Sequence, residues 1–252
     1  MLYFGKTDIG KIRKGNQDSF GIYEIAENAV LFAVCDGMGG AAGGEEASKL
    51  ALAAFSDEVK AVLVPRVADG KLDCTGVDIK LLLENAAECA NKAVFAKAQE
   101  NPELSGMGTT LVALLSVETG AYWINIGDSR MYRIRRDSIE QITRDHSYVQ
   151  YLVDMGKMTP EEARNSTNRN IIMRAVGSEN DSRADIGPVD MSGDEDTYFL
   201  LCSDGLSGMV PDGDICNIVM SDCDVEAKVE NLISAANLGG GTDNITVVLI
   251  KK

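Results

Sequence analysis

The sequence predicts an α+β protein, a β-sandwich with helices on its outer faces. Three observations point there. Strand-like apolar runs fall in two clusters, helical segments come in pairs between them, and no Pro/Ser-rich linker, low-complexity run or solenoid-length repeat divides the 252 residues. That length suits one unit with a substantial core, so residues 1–252 are expected to form a single domain. Periodicity alone leaves other α+β layerings open.

In chain order, residues 19–23 and 30–35 read as strands, the second a continuous apolar run suited to burial on both faces. Residues 45–62 follow with helical spacing, placing Ala47, Leu50, Ala51, Ala54, Phe55 and Val59 on one side. A second helix is expected over 78–100 through Leu82, Ala86, Cys89, Ala93 and Val94. Next come strands at 109–117, 121–126 and 131–135, the first two joined by a turn at Thr119-Gly120. Residues 145–180 are polar and mixed, but Thr159-Pro160-Glu161-Glu162 marks a helix start: a capping hydroxyl, proline at the first helical position and glutamate three after the cap. A strand at 197–202, helices near 212–220 and 225–237, a glycine-rich turn and a strand at 245–250 complete the chain.

Composition narrows the function. Lys+Arg number 24 against 39 Asp+Glu, for a net charge of −15. Such a surface repels nucleic acid and anionic membranes. The first residues contain no apolar signal core, and no apolar run approaches the roughly eighteen residues of a membrane span. The six cysteines form no CxxC pair, and Cys35 and Cys202 lie in apolar strand runs, where the thiol behaves as a small hydrophobe. A reduced, cytoplasmic setting is expected. With His146 the lone histidine and no CxxC pair, the sequence offers no His/Cys zinc motif.

The chemistry lies in where aspartates stand relative to strands. The 30–35 run leads into Asp36-Gly37, and the 197–202 run into Ser203-Asp204-Gly205. Asn125-Ile126-Gly127 leads to Asp128, and Gly241-Thr242 to Asp243 just before the last strand. Strand ends hold side chains in fixed geometry, and converging carboxylates need a compensating cation. An all-oxygen donor set with room for water suits Mg²⁺ or Mn²⁺. Taken singly, each aspartate can equally well just make a turn.

Three other patterns have rival readings that their surroundings exclude. Gly37-Met38-Gly39-Gly40-Ala41-Ala42 fits a dinucleotide loop, but Asp57 and Glu58 lie inside a helical pattern instead of ending a second strand, and Asp36 would face a pyrophosphate. Asp222-Cys223-Asp224 lacks the spacing and central glycine of an EF-hand loop. His146 has no Ser/Cys elbow around it and reads as a structural or supporting residue.

Together the motifs Arg13-Lys14-Gly15-Asn16-Gln17-Asp18-Ser19, Asp36-Gly37-Met38-Gly39-Gly40, Gly108-Thr109-Thr110, Gly127-Asp128-Ser129-Arg130, Asp145-His146-Ser147, Ser203-Asp204-Gly205-Leu206 and Asp243-Asn244 resemble the metal-dependent protein phosphatase family, the type-2C Ser/Thr phosphatases, in its compact bacterial form. They stand in family order across nearly the whole chain. The resemblance implies a four-layer α-β-β-α sandwich, two antiparallel sheets flanked by helix pairs, with a flap subdomain at about 145–180. It implies two core Mn²⁺ or Mg²⁺ ions and a third, weaker one. Asp36 is similar to the carboxylate bridging the core ions, Gly37 to a carbonyl ligand, and Asp204 and Asp243 to ligands of the second ion. Asp18 resembles the acid orienting metal-bound water, Asp128 a ligand of the third ion, and Arg13 the phosphate-binding arginine, whose planar guanidinium grips two oxygens at once. Asp36, Asp204 and Asp243 thereby become the expected catalytic acids.

The implied reaction is hydrolysis of phosphoserine and phosphothreonine in proteins, opposing Ser/Thr kinases, by a metal-activated water attacking phosphorus in line. Met38 stands where some relatives carry a general-acid histidine, which puts the proton donor in question. Expected partners are phosphorylated proteins, a Ser/Thr kinase among them, with no nucleic acid and no membrane, and the chain is expected to act as a monomer in signalling. The alternative is a pseudo-phosphatase binding module, whose simplest mark, a lost metal ligand, is missing here.

Overall fold

The computed structural model describes residues 1–136, 138–178, 183–191 and 196–252, with Ala41 and Ala42 described by their backbone alone. The chain begins with β1 (Leu2–Asp8), β2 (Asp18–Ala26) and β3 (Ala29–Met38), followed by α1 (Gly40–Leu63). A small hairpin, β4 (Val67–Ala68) and β5 (Lys71–Leu72), leads to α2 (Ile79–Glu100). Then come β6 (Gly108–Thr109), β7 (Leu111–Val117), β8 (Gly120–Ile126), β9 (Arg130–Arg135) and β10 (Ser138–Gln141). Two short helices, α3 (Tyr148–Asp154) and α4 (Pro160–Arg164), precede β11 (Asp185–Val189) and β12 (Tyr198–Cys202). The chain closes with α5 (Asp204–Ser207), α6 (Asp212–Val219), α7 (Val225–Leu238) and β13 (Ile245–Lys251).

Two antiparallel sheets result, in the orders β1-β13-β12-β9-β10 and β11-β8-β7-β3-β2, with β6 paired to the end of β3. Side-chain alternation along the central strands fixes the layers. In β3, Leu31, Ala33 and Cys35 join a core with α1 and α2, whereas Phe32 and Val34 face the other sheet. In β12, Tyr198, Leu200 and Cys202 pack under α6 and α7, and Phe199 and Leu201 point inward. β13 divides likewise, Val247 and Leu249 outward and Val248 and Ile250 inward. Both faces of these strands are covered, which is why they read as unbroken apolar runs. The α-β-β-α sandwich expected above is the observed architecture.

Helix ends follow the local sequence. Asp78 caps α2 by accepting the Leu81 N–H at 3.1 Å, and Thr159 and Glu162 close a reciprocal capping box on α4. Asp224, from the rejected calcium pattern, caps α7 through the Ala227 N–H at 2.8 Å. The glycine loop after β3 lies among antiparallel neighbours, so the parallel βαβ unit of a dinucleotide site is absent there. Among the described residues no helix is long and apolar enough to cross a membrane. Of the expected 145–180 segment, residues 179 and 180 lie outside the described ones.

Candidate metal centre

The sandwich brings its aspartates to one end of both sheets. Asp18 opens β2 and stands directly opposite Asp36 in the register of β3. Asp204 follows β12 and Asp243 precedes β13, neighbours in the other sheet. Asp128 lies in the turn between β8 and β9, a connection that runs from one sheet to the other. Asp18 and Asp128 are buried, whereas Asp36, Asp204 and Asp243 are partly open to solvent.

Backbone contacts position these loops. Thr109 Oγ1 and the Thr110 N–H each donate to the Asp36 carbonyl at 2.8 Å, and the Asp36 N–H donates to Thr110 Oγ1 at 2.9 Å. Asn244 Nδ2 donates to the carbonyls of Ile9 and Gly15 at 2.9 and 3.0 Å, tying the loop that carries Arg13 to the start of β13. Two glycines are required by close approach of main chains. A Cβ on Gly37 would stand 2.0 Å from the Gly44 carbonyl oxygen, and one on Gly205 would stand 1.9 Å from that of Asn244.

The acids strain one another. Burial pushes the Asp18 carboxyl up to about 7, helped by the charges of Asp204 and Asp243 and opposed by hydrogen bonds from the Thr246 and Ser203 hydroxyls, at 2.6 and 2.8 Å. Asp36 rises well above the ordinary carboxylate range, first through burial and then through Asp18, Asp204, Asp128 and Asp243. Asp204 is pushed up to about 6 by burial and by Asp243, with partial relief from a hydrogen bond to Asp36 and from Arg169 and Arg13. Burial, then Asp204 and Asp145, raise Asp128 well above its usual value.

A cation fits this donor set. Oδ1 of Asp18 and Oδ1 of Asp128 are buried with no hydrogen-bond partner, an arrangement that is costly without something positive nearby. The ligands are all oxygens, as Mg²⁺ and Mn²⁺ prefer. Among the described residues no three acid, histidine or cysteine side chains close into a finished ion cage. One of the acids already has a cationic partner: Asp243 Oδ2 accepts from Arg13 at 2.7 Å.

Beside the acids lies a cavity of about 310 Å³, with Asp128, Asp204 and Asp243 on one side and Val149, Val153, Arg164 and Arg169 on the other. Arg130, also in its wall, makes a bidentate pair with Asp145 (3.0 and 2.7 Å) and donates to Tyr132. His146 lies behind the turn: Nδ1 accepts the Gly127 N–H at 3.1 Å, which leaves Nε2 to donate to Asp185 at 3.1 Å. Burial lowers the imidazole pKa despite Asp185.

The sequence pattern of the family described as Protein phosphatase 2C matches residues 11–235. This chain belongs to that family. It is 36% identical over 247 residues to the serine/threonine phosphatase Stp of Listeria monocytogenes, covering 98% of this chain and 94% of that one. It is 39% identical to the serine/threonine protein phosphatase PstP of Mycobacterium tuberculosis over 99% of its own length but 44% of PstP's. Among solved structures, Stp1 from Staphylococcus aureus superposes with a TM-score of 0.87 at 35% identity, over 99% of this chain and 94% of that one. The catalytic domain of PstP, determined in complex with two manganese ions, gives 0.80 at 36% identity, over 98% and 96%.

Within this protein phosphatase, the structure brings Asp18, Asp36, Asp128, Asp204 and Asp243 into one electrostatic cluster, with Gly37 beside Asp36 and Arg13 on Asp243. Arg13 does not line the cavity. Sequence reasoning gave no role to Ser203 and Thr246, which hold Asp18, or to Asp185, which holds His146. A hydroxyl flanking an acid in the Ser203-Asp204 motif was the one available signal.

Proposed function

We propose that this chain hydrolyses phosphoserine and phosphothreonine in proteins, reversing Ser/Thr kinases, with Mn²⁺ or Mg²⁺ held by its aspartates. The convergence of five aspartates at the end of the sandwich, with Asp18, Asp36, Asp128 and Asp204 raised above the ordinary carboxylate range by burial and by one another's charges, carries this reading. Asp36, Gly37, Asp204 and Asp243 would hold two core ions and Asp128 a third, while Asp18 would orient water. Such cations supply an activated water and charge to set against the phosphoryl oxygens. The protein's own residues do the rest. Ser203 and Thr246 fix the Asp18 carboxylate, and Thr109 and Thr110 clamp the Asp36 backbone. His146 is tied on both ring nitrogens, so we assign leaving-group protonation to ordered water.

The segment from Asp145 to about 180 would be the flap, and residues 1–252 one domain. The substrates would be phosphorylated proteins, a Ser/Thr kinase among them, met by a monomer in the cytoplasm. None of the six cysteines is joined in a disulfide, in keeping with a reducing compartment. The binding-module alternative has no observation in its favour.

The test is hydrolysis of para-nitrophenyl phosphate and of a phosphothreonine peptide with Mn²⁺ and with EDTA. Turnover of both is expected with Mn²⁺ and loss of both in EDTA; equal rates in the two buffers overturn the assignment. Arg13→Ala is expected to lower kcat/KM about tenfold, mainly through KM, since a charge-assisted hydrogen bond contributes about 1.5–3 kcal/mol and Arg13 is half exposed. Kinetics equal to the parent's remove Arg13 from the site.

A further inference from the structure

The apolar side chains that this fold leaves in water are concentrated over one short helix. Of twelve large hydrophobic residues exposed among the described ones, five, namely Tyr148, Tyr151, Met155, Ile171 and Met173, fall within residues 148–173. Tyr148, Tyr151 and Met155 stand at i, i+3 and i+7 along α3 and its C-terminal cap, and so share a face. The Tyr148 N–H donates to the Ile171 carbonyl at 2.8 Å and the Met173 N–H to that of His146 at 2.7 Å, which lays 171–173 beside the start of α3 and brings the exposed residues of both segments together. A contiguous exposed apolar patch marks an interaction surface, as scattered single residues do not.

Two observations identify the occupant. The other side of α3, through Val149, Gln150 and Val153, lines the cavity that holds Asp128, Asp204 and Asp243, so the helix is the wall between cavity and patch. A chain with its phosphorylated residue in the cavity has a direct route over that wall. Charge points the same way. Residues 144–174 carry five basic and four acidic side chains, against 19 and 35 in the rest of the molecule. An anionic chain is therefore repelled by most of the surface and tolerated here, with Arg164 and Arg169 at the cavity edge.

We propose that the outer face of α3, with Ile171 and Met173, docks the protein substrate through an apolar residue three to five positions from its phosphorylated residue. This rests on the phosphoprotein reading above. The spacing follows from geometry: crossing a helix about 10 Å thick takes about three residues of extended chain at roughly 3.3 Å each. Phosphate chemistry in the cavity and apolar recognition outside it are thus separate functions on the two sides of one helix.

The experiment uses the full chain with Mn²⁺, para-nitrophenyl phosphate and two sets of phosphothreonine peptides, one with leucine three, four or five residues from the phosphothreonine and one with serine there. The parent is expected to favour one of the leucine peptides by about fivefold or more in kcat/KM, through KM. The double variant Tyr151→Ser/Met155→Ser, altered where both side chains are exposed, is expected to lose that preference while its para-nitrophenyl phosphate kinetics stay within about twofold of the parent's. A parent indifferent to leucine, or a variant that keeps the preference, overturns the docking surface. A concentration-dependent dimer abolished by the double substitution, or sedimentation with anionic vesicles that it abolishes, assigns the patch to a second copy or to a membrane and equally overturns it. If instead the parent fails on para-nitrophenyl phosphate itself, the phosphatase reading falls, and the two failures stay distinct.

Discussion

Asp36→Asn is expected to lower turnover of para-nitrophenyl phosphate with Mn²⁺ by at least about a hundredfold while leaving the protein folded. Asp36 stands opposite Asp18 in the strand register and feels the charge of four other aspartates, Asp18, Asp204, Asp128 and Asp243. It is the acid most central to the cluster. Charge stabilisation by catalytic cations amounts to several kcal/mol, and each 1.36 kcal/mol is tenfold in rate. Asparagine keeps the shape and removes the negative charge. Far-UV circular dichroism should match the parent's, and calorimetric Mn²⁺ titration should show weakened binding. Asp57→Asn, on the exposed face of α1, serves as control and should keep full activity. Turnover of Asp36→Asn within about threefold of the parent would remove Asp36 from the centre.

The contrast between what the sequence disclosed and what it hid follows from burial. The central strands β3, β12 and β13 are covered on both faces and announce themselves as apolar runs. Three of the four strands at sheet edges, β1, β10 and β11, escaped the reading. They are half-buried and short of apolar residues, and β11 contains Gly187 and Pro188, which an edge tolerates and a periodicity search discounts. α3 was hidden for a related reason: its apolar residues lie on two opposed faces, one toward the cavity and one toward solvent, so no single stripe stands out.

The acids were legible because each stands at a strand end beside a small residue. Their supports were not, because those contacts are remote in sequence. Thr246 reaches Asp18 from 228 residues away, and Ser203 from 185. Nothing local to either position announces the pairing. Gly37 and Gly205 leave room for main chains, those of Gly44 and Asn244, another pairing that nothing local announces. The Ser203 and Thr246 hydroxyls reach from one sheet to Asp18 in the other, and such contacts let acids from both sheets share one charge cluster.

That cluster also sets an expected dependence of stability on pH, opposite in sign to the usual salt-bridged carboxylate. Asp18 is pushed up to about 7, Asp204 up to about 6, and Asp36 and Asp128 well above the ordinary range, burial being the first cause for each. Below about pH 4 these groups are protonated in folded and unfolded chains alike and contribute no pH dependence. As pH rises through the unfolded value near 4, the unfolded chain releases protons that the fold retains. Stability therefore falls from about pH 4 up to the raised folded values near 6 and 7, and further while Asp36 and Asp128 still hold protons. Without metal, the protein should melt at lower temperature at pH 7.5 than at pH 5. The acidic surface adds self-repulsion in the same direction, so the informative comparison is with Asp36→Asn, which removes one member of the cluster and leaves 38 of the 39 acids. In EDTA at pH 7.5 that variant should melt about 5 °C above the parent, since relief of about 1–2 kcal/mol shifts a chain of this size by roughly 2–4 °C per kcal/mol. At pH 5 the gap should narrow. Mn²⁺ should reverse the order at pH 7.5, because cations stabilise the ionised parent by mass action and bind the variant weakly. Parallel melting curves for the two proteins across pH 5–8 in EDTA, with no divergence on adding Mn²⁺, would show that the acids neither repel one another nor share an ion.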